Sequence, residues 1–290
     1  MPKKFVSPST PWVLRGQSFI WGTRTYLMGI LNVTPDSFSD GGQFNSLEAA
    51  VAQAQHLVQA GIDILDIGGQ STRPQALEIL ETEELERVVP VIEAIRAQLP
   101  VPISVDTTRA SVAKAAIAAG ADLVNDVSGG IHDPQMLPTV AKLQVPIILM
   151  HMRGTPQTMQ QLTDYDDLIT DILDFCQQQI AKALKAGIKP EFIAIDPGIG
   201  FAKTGPQSLE ILRQLSQFQS LGCPVLVGPS RKSFIGHILK QPDPQQRIWG
   251  TAAACCAAIQ GGADILRIHD GAAMRDVCQV ADAIWRSSSL

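Results

Sequence analysis

Aromatic side chains are scarce in this 290-residue chain, at 5% with only two tyrosines, although 45% of the residues are hydrophobic. Its core must therefore be aliphatic, and the length suits one α/β barrel without requiring a second domain. No run approaches the roughly 18 apolar residues of a membrane span. Met1-Pro2-Lys3-Lys4 carries charge with no apolar stretch behind it, so neither a membrane segment nor a secretory leader is expected. Positive charge is not in excess: a formal charge of -5 gives no overall pull toward nucleic acid or an acidic membrane. Any anion in the site must be held by local cations. Five cysteines (Cys176, Cys223, Cys255, Cys256 and Cys278) include no CxxC pair and are odd in number, which fits reduced core thiols and a cytoplasmic location. No His/Cys/Asp spacing reads as a tight zinc site, and no G-x-S-x-G elbow signals acyl transfer.

What the chain does have is eight short apolar runs, recurring about every 34 residues and breaking off at polar side chains. They are Leu27 to Val33, Ile62 to Ile67, Ile103 to Asp106, Leu123 to Asp126, Val145 to His151, Phe192 to Asp196, Pro224 to Gly228 and Ile265 to Asp270. Between them lie helical patterns: Leu47 to Ala60, Thr82 to Gln98, Arg109 to Ala119, Pro134 to Leu143, Tyr165 to Ala186, Ser208 to Gln219, Gln246 to Ile259 and Ala272 to Arg286. Ala60-Gly61, Ala119-Gly120 and Ala186-Gly187 read as helix stops before a strand. Repetition of this plan predicts an α/β fold, a (β/α)8 TIM barrel spanning 1–290 as a single domain with its core at about 20–285. Its site would lie where the strands' C-terminal ends converge. Residues 5 to 24 form a short N-terminal preface, read as a hairpin that closes the barrel bottom with Trp12 and Trp21 as plugs. Two loops are longer than a plain barrel needs, Thr34 to Gly42 and Gly68 to about Leu80. Both follow early strands and read as lids over the catalytic face.

The strand tips hold two sets of candidate ligand groups. Arg267 and His269 share one face of the last strand, and with Asn32 across the mouth they suit a phosphate or diphosphate. The competing reading is a strand-end salt bridge from Arg267 to Asp270 or a neighbouring carboxylate. Asp106, Asn125 and Asp196 each end an apolar run and carry a polar head into a partly dry mouth, where it needs partners. A flat heterocycle with an aminopyrimidinone edge supplies them, since one carboxylate accepts from a ring N–H and an exocyclic amine together. Singly, each would read as a strand cap. Gly228-Pro229-Ser230-Arg231-Lys232-Ser233 opens a helix but lacks the second glycine of a P-loop. Its Ser233 and Lys232 can seat a carboxylate or polar oxygen, alongside ordinary capping by Ser230 or Ser233. His56, His132 and His237 read as solvated, and His151 as either a ring contact or packing.

With these residues in view, the chain resembles the dihydropteroate synthase family of pterin-binding enzymes over roughly residues 20 to 285. Met28-Gly-Ile-Leu-Asn-Val-Thr-Pro-Asp-Ser-Phe-Ser-Asp-Gly-Gly42 and Gly68-Gly-Gln-Ser-Thr-Arg-Pro74 carry the resemblance most strongly. Ser104-Val-Asp106-Thr, Val124-Asn125-Asp-Val-Ser-Gly, Ile195-Asp196-Pro-Gly-Ile-Gly-Phe201, Ser230-Arg-Lys232 and Arg267-Ile-His269-Asp follow in the family's order. The resemblance implies a transferase of folate biosynthesis that condenses 4-aminobenzoate with (7,8-dihydropterin-6-yl)methyl diphosphate, giving 7,8-dihydropteroate and diphosphate. It implies catalytic roles for Asp106, Lys232 and Arg267, and a pterin diphosphate site of Asn32, Thr72, Asp106, Asn125, Asp196, Lys232, Arg267 and His269. It further implies a 4-aminobenzoate and lid site of Asp36, Phe38, Thr72, Arg73, Pro74, Phe201 and Ser233. Magnesium as cofactor with Asn32 among its ligands, sensitivity to sulfonamides, and a homodimer through the later helices complete the implied picture. No nucleic acid or membrane partner is expected.

Three positions depart from the family pattern. Gln70 stands where Glu is usual, Ala202 follows Phe201 where Gly is common, and Gln75 replaces the usual Gly after Arg73-Pro74. These leave the proposed ligands intact and bear on lid charge and mobility. Two rival readings remain. A pterin-binding barrel of a corrinoid methyltransferase system would need no diphosphate site and no Ser71-Thr72-Arg73-Pro74 lid. A sugar-phosphate lyase or isomerase would want a Schiff-base lysine on a strand, whereas Lys232 lies beyond one.

Overall fold

The computed structural model describes residues 10–34 and 43–286, with only the backbone course given for 43–46. The chain enters through an antiparallel hairpin, β1 (Trp12–Leu14) and β2 (Gln17–Phe19), with Trp12 opposite Phe19. Its two-residue turn puts both Arg15 (φ 53°) and Gly16 (φ 77°) in the left-handed region, the geometry that matches strand twist. Arg15 is held there by Asp122, at 2.7 Å from Nε.

Eight parallel strands follow: β3 (Tyr26–Asn32), β4 (Ile64–Gly68), β5 (Ile103–Asp106), β6 (Leu123–Asp126), β7 (Ile147–Met150), β8 (Ile193–Asp196), β9 (Leu226–Val227) and β10 (Ile265–Ile268). Their order is β8-β7-β6-β5-β4-β3-β10-β9. The two end strands meet through a single parallel bridge, Ile195 to Val225, with Ile195 N donating to Pro224 O at 3.0 Å. The sheet thus closes into the expected barrel. Around it lie α1 (Gln43–Gln59), α2 (Glu81–Arg96), α3 (Ala110–Ala118), α4 (Met136–Leu143), α5 (Leu168–Ala186), α6 (Gly205–Gln214), α7 (Ser233–Leu239), α8 (Ile248–Gln260) and α9 (Gly271–Trp285).

The period of two along each strand separates two cores. Outward positions such as Leu65, Ile67, Val105, Val124, Leu149, Ile195 and Leu266 pack under the helices. Inward positions at the N-terminal end (Met28, Ile64, Leu123, Ile148, Ala194, Leu226 and Ile265) meet Trp12, Leu14, Phe19 and Trp21 from the hairpin segment. Trp12 and Trp21 stack edge-on at 5.0 Å, and Phe19 lies 4.8 Å from Tyr26. Trp12, Phe19, Trp21 and Tyr26 thus fill the barrel floor, each buried large side chain contributing roughly 1.5–3 kcal/mol. One inward step further along the strands, Ile64 gives way to Asp66, Leu123 to Asn125, Ala194 to Asp196 and Ile265 to Arg267. That step is the boundary between floor and site.

The three expected helix stops all hold a left-handed glycine: Gly61 (φ 88°), Gly120 (φ 114°) and Gly187 (φ 99°). Boundaries shift where proline or a cap intervenes. Pro224 has no N–H for the ladder, so β9 shrinks to two residues. A capping box between Thr204 and Gln207 starts α6 at Gly205, three residues ahead of the expected Ser208, and the remainder tightens into a 3₁₀ turn over Leu215–Leu221. The helix expected after Gly228 is a separate short α7. The run from Gln246 starts as a 3₁₀ turn, Pro244–Arg247, before α8. Among the described residues no helix is long and apolar enough to cross a membrane.

Candidate active site

At the C-terminal rim the inward positions carry charge. Arg267 Nε donates to Asp66 Oδ2 at 2.6 Å and its Nη2 donates to Asp106 Oδ2 at 2.6 Å. Asn125 Nδ2 donates to the same Asp66 oxygen at 3.3 Å. Arg267 does sit in a strand-end salt bridge, with Asp66 and Asp106 rather than Asp270; Arg231 takes Asp270, Nε to Oδ2 at 3.0 Å. Asp66 Oδ1, Asp106 Oδ1 and Ser104 Oγ are buried with no hydrogen-bond partner. Open lone pairs in a dry mouth are costly unless a ligand brings N–H groups to them.

Burial pushes the Asp106 carboxyl up to about 7; Arg267 opposes the rise while Asp66, Glu84 and Asp126 add to it. Burial disfavours the Arg267 cation, yet Asp66 and Asp106 outweigh that and raise its pKa. The pair behaves as one unit, a guanidinium that stays charged beside a carboxyl titrating near neutrality. Burial likewise raises Asp196 to about 6, held down by the Gly198 N–H (2.7 Å to Oδ1) and by Lys232, Lys203 and Arg267. Gly198 is required at φ 71°, because a Cβ there would lie 2.0 Å from the His151 carbonyl oxygen.

Lys232 enters from the β9–α7 loop, its ammonium 4.0 Å from the centroid of the Phe201 ring. Burial and the neighbouring Arg267 lower it to about 8, against the pull of Asp196 and Asp106. Phe201 stands with Val127, Met150, Met152, Met159 and Ala202 in an apolar shelf beside this pocket. His269 lies one residue past β10, Nδ1 at 2.9 Å from Ser230 Oγ. Burial, with Arg231 and Arg267, lowers it to about 3, so its imidazole is neutral; Arg73 of the second lid also acts on it. Ser230 therefore orients a histidine and does not cap α7. Ser233 is the exposed first residue of that helix, whose N-cap, Lys232, makes no side-chain cap bond. Neither serine plays the capping role that the sequence allowed.

The model of the family described as pterin binding enzyme matches residues 28–269. A dihydropteroate synthase of Synechocystis sp. is 60% identical over 92% of this chain and 93% of its own. The chain belongs to the pterin-binding enzyme family, among its dihydropteroate synthases. Solved dihydropteroate synthases of Xanthomonas albilineans superpose closely. One in complex with 4-aminobenzoic acid has a TM-score of 0.89 at 44% identity, covering 96% of this chain and 98% of that one. Another, with 7,8-dihydropteroate, has 0.85 at 41%, covering 95% and 98%.

In this pterin-binding enzyme the structure brings Asp106, Asn125, Asp196, Lys232 and Arg267 to one mouth, with Asn32 at the end of β3 and His269 beside β10. Asp36 and Phe38 of the first lid lie outside the described residues. In the second lid Thr72 is half-buried, and Arg73 and Pro74 are exposed. Two of the departures from the family pattern fall on left-handed residues: Gln75 at φ 67° and Ala202 at φ 52°. Each carries roughly 1–2 kcal/mol of backbone strain that glycine would avoid. Gln75 N is pinned by Pro156 O at 2.9 Å. The third, Gln70, uses Oε1 to accept from Ile79 N and Arg109 Nη1, both at 3.4 Å.

Sequence reasoning passed over three features. Asp66 was read only as part of a run, yet it anchors both Arg267 and Asn125. Arg109 was read as a helix start, yet it binds Glu84, Glu78 and the Ile79 carbonyl at the root of the second lid. The β7–α5 loop, residues 151–167, is a third wall: besides Pro156, its Gln160 reaches Gly200 O at 3.1 Å and Tyr165 Oη reaches Ala202 O at 2.9 Å. A polar residue on the inward phase of a strand was the signal for Asp66. No local signal marked the other two.

Proposed function

We propose that this chain is a transferase of folate biosynthesis that condenses 4-aminobenzoate with (7,8-dihydropterin-6-yl)methyl diphosphate, releasing 7,8-dihydropteroate and diphosphate. The observation that carries the reading is the inward set of Asp66, Asp106, Asn125 and Asp196, in which Arg267 bridges Asp66 and Asp106 and Asn125 binds Asp66, in a chain this close to known dihydropteroate synthases. Asp196 accepts the pyrimidine N–H and amine, and Asn125 and Asp106 take the remaining ring nitrogens. Lys232 reaches the ring carbonyl and N5. Arg267 stacks on the ring and, with His269, Asn32 and Thr72, holds the diphosphate.

The C–O bond between the methylene and the diphosphate breaks first, its electron pair leaving on the diphosphate. Electron donation from the dihydropterin ring spreads the resulting positive charge. Asp106 stabilises that charge electrostatically in a site where water does not screen it. The arylamine nitrogen then forms the new N–C bond and sheds one proton. An uncharged aniline nitrogen needs positioning more than deprotonation. Phe201, Pro74 and the Lys232 stem wall the aryl ring, Ser233 takes the carboxylate, Thr72 approaches the amine, and Arg73 closes the lid against water, which would capture the cation.

Among the described residues no group of three His, Cys, Asp or Glu forms a metal site. Asn32, an oxygen donor at the end of β3, is the residue that would hold magnesium. When bound it would neutralise the leaving group.

The molecule is read as a single-domain, cytoplasmic homodimer. The pairing face is the groove of about 720 Å3 between α6, α7, α8 and α9, lined by Phe234, Ile235, Ile238, Leu239, Ile284 and Trp285. Trp249, Val280 and Ile284 are exposed on that side, an apolar patch of the kind that marks an interface. Sulfonamides mimic 4-aminobenzoate and compete with it. Mixing purified protein with the pterin diphosphate, magnesium and 4-aminobenzoate should release diphosphate and form dihydropteroate, with sulfonamide raising the KM for 4-aminobenzoate. No diphosphate release under these conditions sinks the reading.

A further inference from the structure

Lys203 is a second lysine behind the mouth, and it has no place in the chemistry above. It is 3% exposed. Its ammonium donates to Phe201 O at 2.9 Å and to His151 O at 3.5 Å, and lies 2.8 Å from His151 Nδ1. Three N–H donors meet three neutral acceptors, so the charged form is fully hydrogen-bonded without a carboxylate in contact. That arrangement sets the imidazole tautomer: Nδ1 accepts, and the proton sits on Nε2. Burial, together with Lys203 and Arg153, lowers His151 to about 2, which keeps the imidazole neutral and able to accept.

The neighbours explain what this knot holds. His151 N donates to Asp196 O at 2.9 Å, which ties the end of β7 to the end of β8. Gly198, whose N–H binds the Asp196 carboxylate, sits so close that a Cβ on it would be 3.3 Å from Lys203 Nζ. Phe201, whose carbonyl Lys203 holds, is the ring against which Lys232 packs. The His151 ring is clasped edge-to-face by Phe175 at 4.8 Å, leaving it little room to turn. One cation thus joins the loop after β7 to the loop after β8, directly behind a carboxylate proposed to read the pterin.

We propose that Lys203 is a positioning residue of the pterin site: its ammonium fixes the Asp196-to-Phe201 loop against His151 and supplies a buried positive charge behind the Asp196 carboxylate. The inference rests on the functional reading above and deepens it. Asp196 must be ionised to accept two N–H groups at once, and the charges that favour this are Lys203 on its own loop, Lys232 on the β9–α7 loop and Arg267 on β10. Around Lys203 itself, burial leads in lowering its pKa to about 7; Lys232 and Arg153 add to that, while Asp196 and Cys176 oppose it. Lys203 is thus partly deprotonated at neutral pH unless a ligand that needs ionised Asp196 keeps it charged.

The test is calorimetric binding of 6-hydroxymethyl-7,8-dihydropterin between pH 5.5 and 9 to wild type, Lys203→Met and Lys203→Arg. Wild type should bind with an acid limb. Lys203→Met should shift that limb upward by about one unit, which lowers affinity nearly tenfold at about pH 5.5 and only about twofold at pH 7. Lys203→Arg should keep the limb near its original pH, because the charge is retained. A Lys203→Met protein with wild-type affinity and an unmoved limb overturns the proposal while leaving the functional reading intact. Wild type that binds no pterin at any pH removes that reading and the inference with it. Should the methionine variant not fold, NMR titration of the Asp196 carboxyl and the Lys203 amine in wild type decides the matter. Each is expected to shift as the other titrates, and independent titrations overturn the proposal.

Discussion

The two ends of the barrel are built from the same strands and obey opposite rules. At the floor, Trp12, Phe19, Trp21 and Tyr26 fill the interior with rings, and the Trp21 indole N–H is the buried side-chain donor left unpaired. Two residues along the inward phase, the mouth holds Asp66, Asp106, Asn125, Asp196 and Arg267, and leaves three oxygens on Asp66, Ser104 and Asp106 unpaired. The floor gains stability from burial, whereas the mouth gives up stability to keep charged groups dry and ready. Folding and function are separated along the strand axis by a single side-chain layer.

That contrast can be broken from either side. Trp12→Ala should have the largest effect on folding, a loss of about 3–5 kcal/mol measured by denaturant unfolding, with the pterin affinity of the surviving folded fraction little changed. A wild-type stability for this variant would mean that the hairpin is not a plug. At the mouth, Asp196→Ala should remove about 2–5 kcal/mol of pterin binding by calorimetry. Unchanged affinity would contradict the assignment of the ring-reading edge.

The sharper form of the comparison is Asp196→Asn. Burial raises the folded carboxyl to about 6, above its ordinary value, so the native state holds its proton more tightly than the unfolded state does. Its contribution to stability is fully present below about pH 4 and is lost as pH rises through about 6. The asparagine variant should therefore be more stable than wild type at pH 8 by on the order of 1–3 kcal/mol, with the difference vanishing near pH 4. Thermal melts at the two pH values check this, and a variant less stable at pH 8 would show that the mouth carries no such cost. The smallest effect should come from Arg73→Ala. An exposed lid residue, it should slow turnover by about tenfold, roughly 1.4 kcal/mol of barrel-mouth closure, and leave pterin diphosphate binding alone. Equal losses in both would mean that the lid is misread.

Much of this division was legible in the residues. Eight strands, the glycine stops and the plugging tryptophans follow from hydrophobic period and local turn chemistry, which act over a few residues. The site tips Asp106, Asn125, Asp196 and Arg267 were visible because a polar group interrupts an apolar run. What stayed hidden depends on distant partners. Asp66 sits within a strand and gains its meaning from Asn125 and from Arg267, the latter 201 positions away in sequence. Lys203 and His151 look ordinary until two loops bring them within 2.8 Å. The strained Gln75 and Ala202 read as departures from a motif, and only their backbone angles show that both sit where glycine would rest easily.

The barrel's closure has a mechanical consequence. Seven of its eight seams are ladders of two or more paired residues, whereas the eighth, between β8 and β9, is the lone bridge from Ile195 to Val225. It runs between the strand that ends in Asp196 and the one that leads to Lys232. The barrel should yield there first, letting one stave swing while the others stay fastened. Amide exchange at Ile195 faster than at Leu65 or Val124 would register that give.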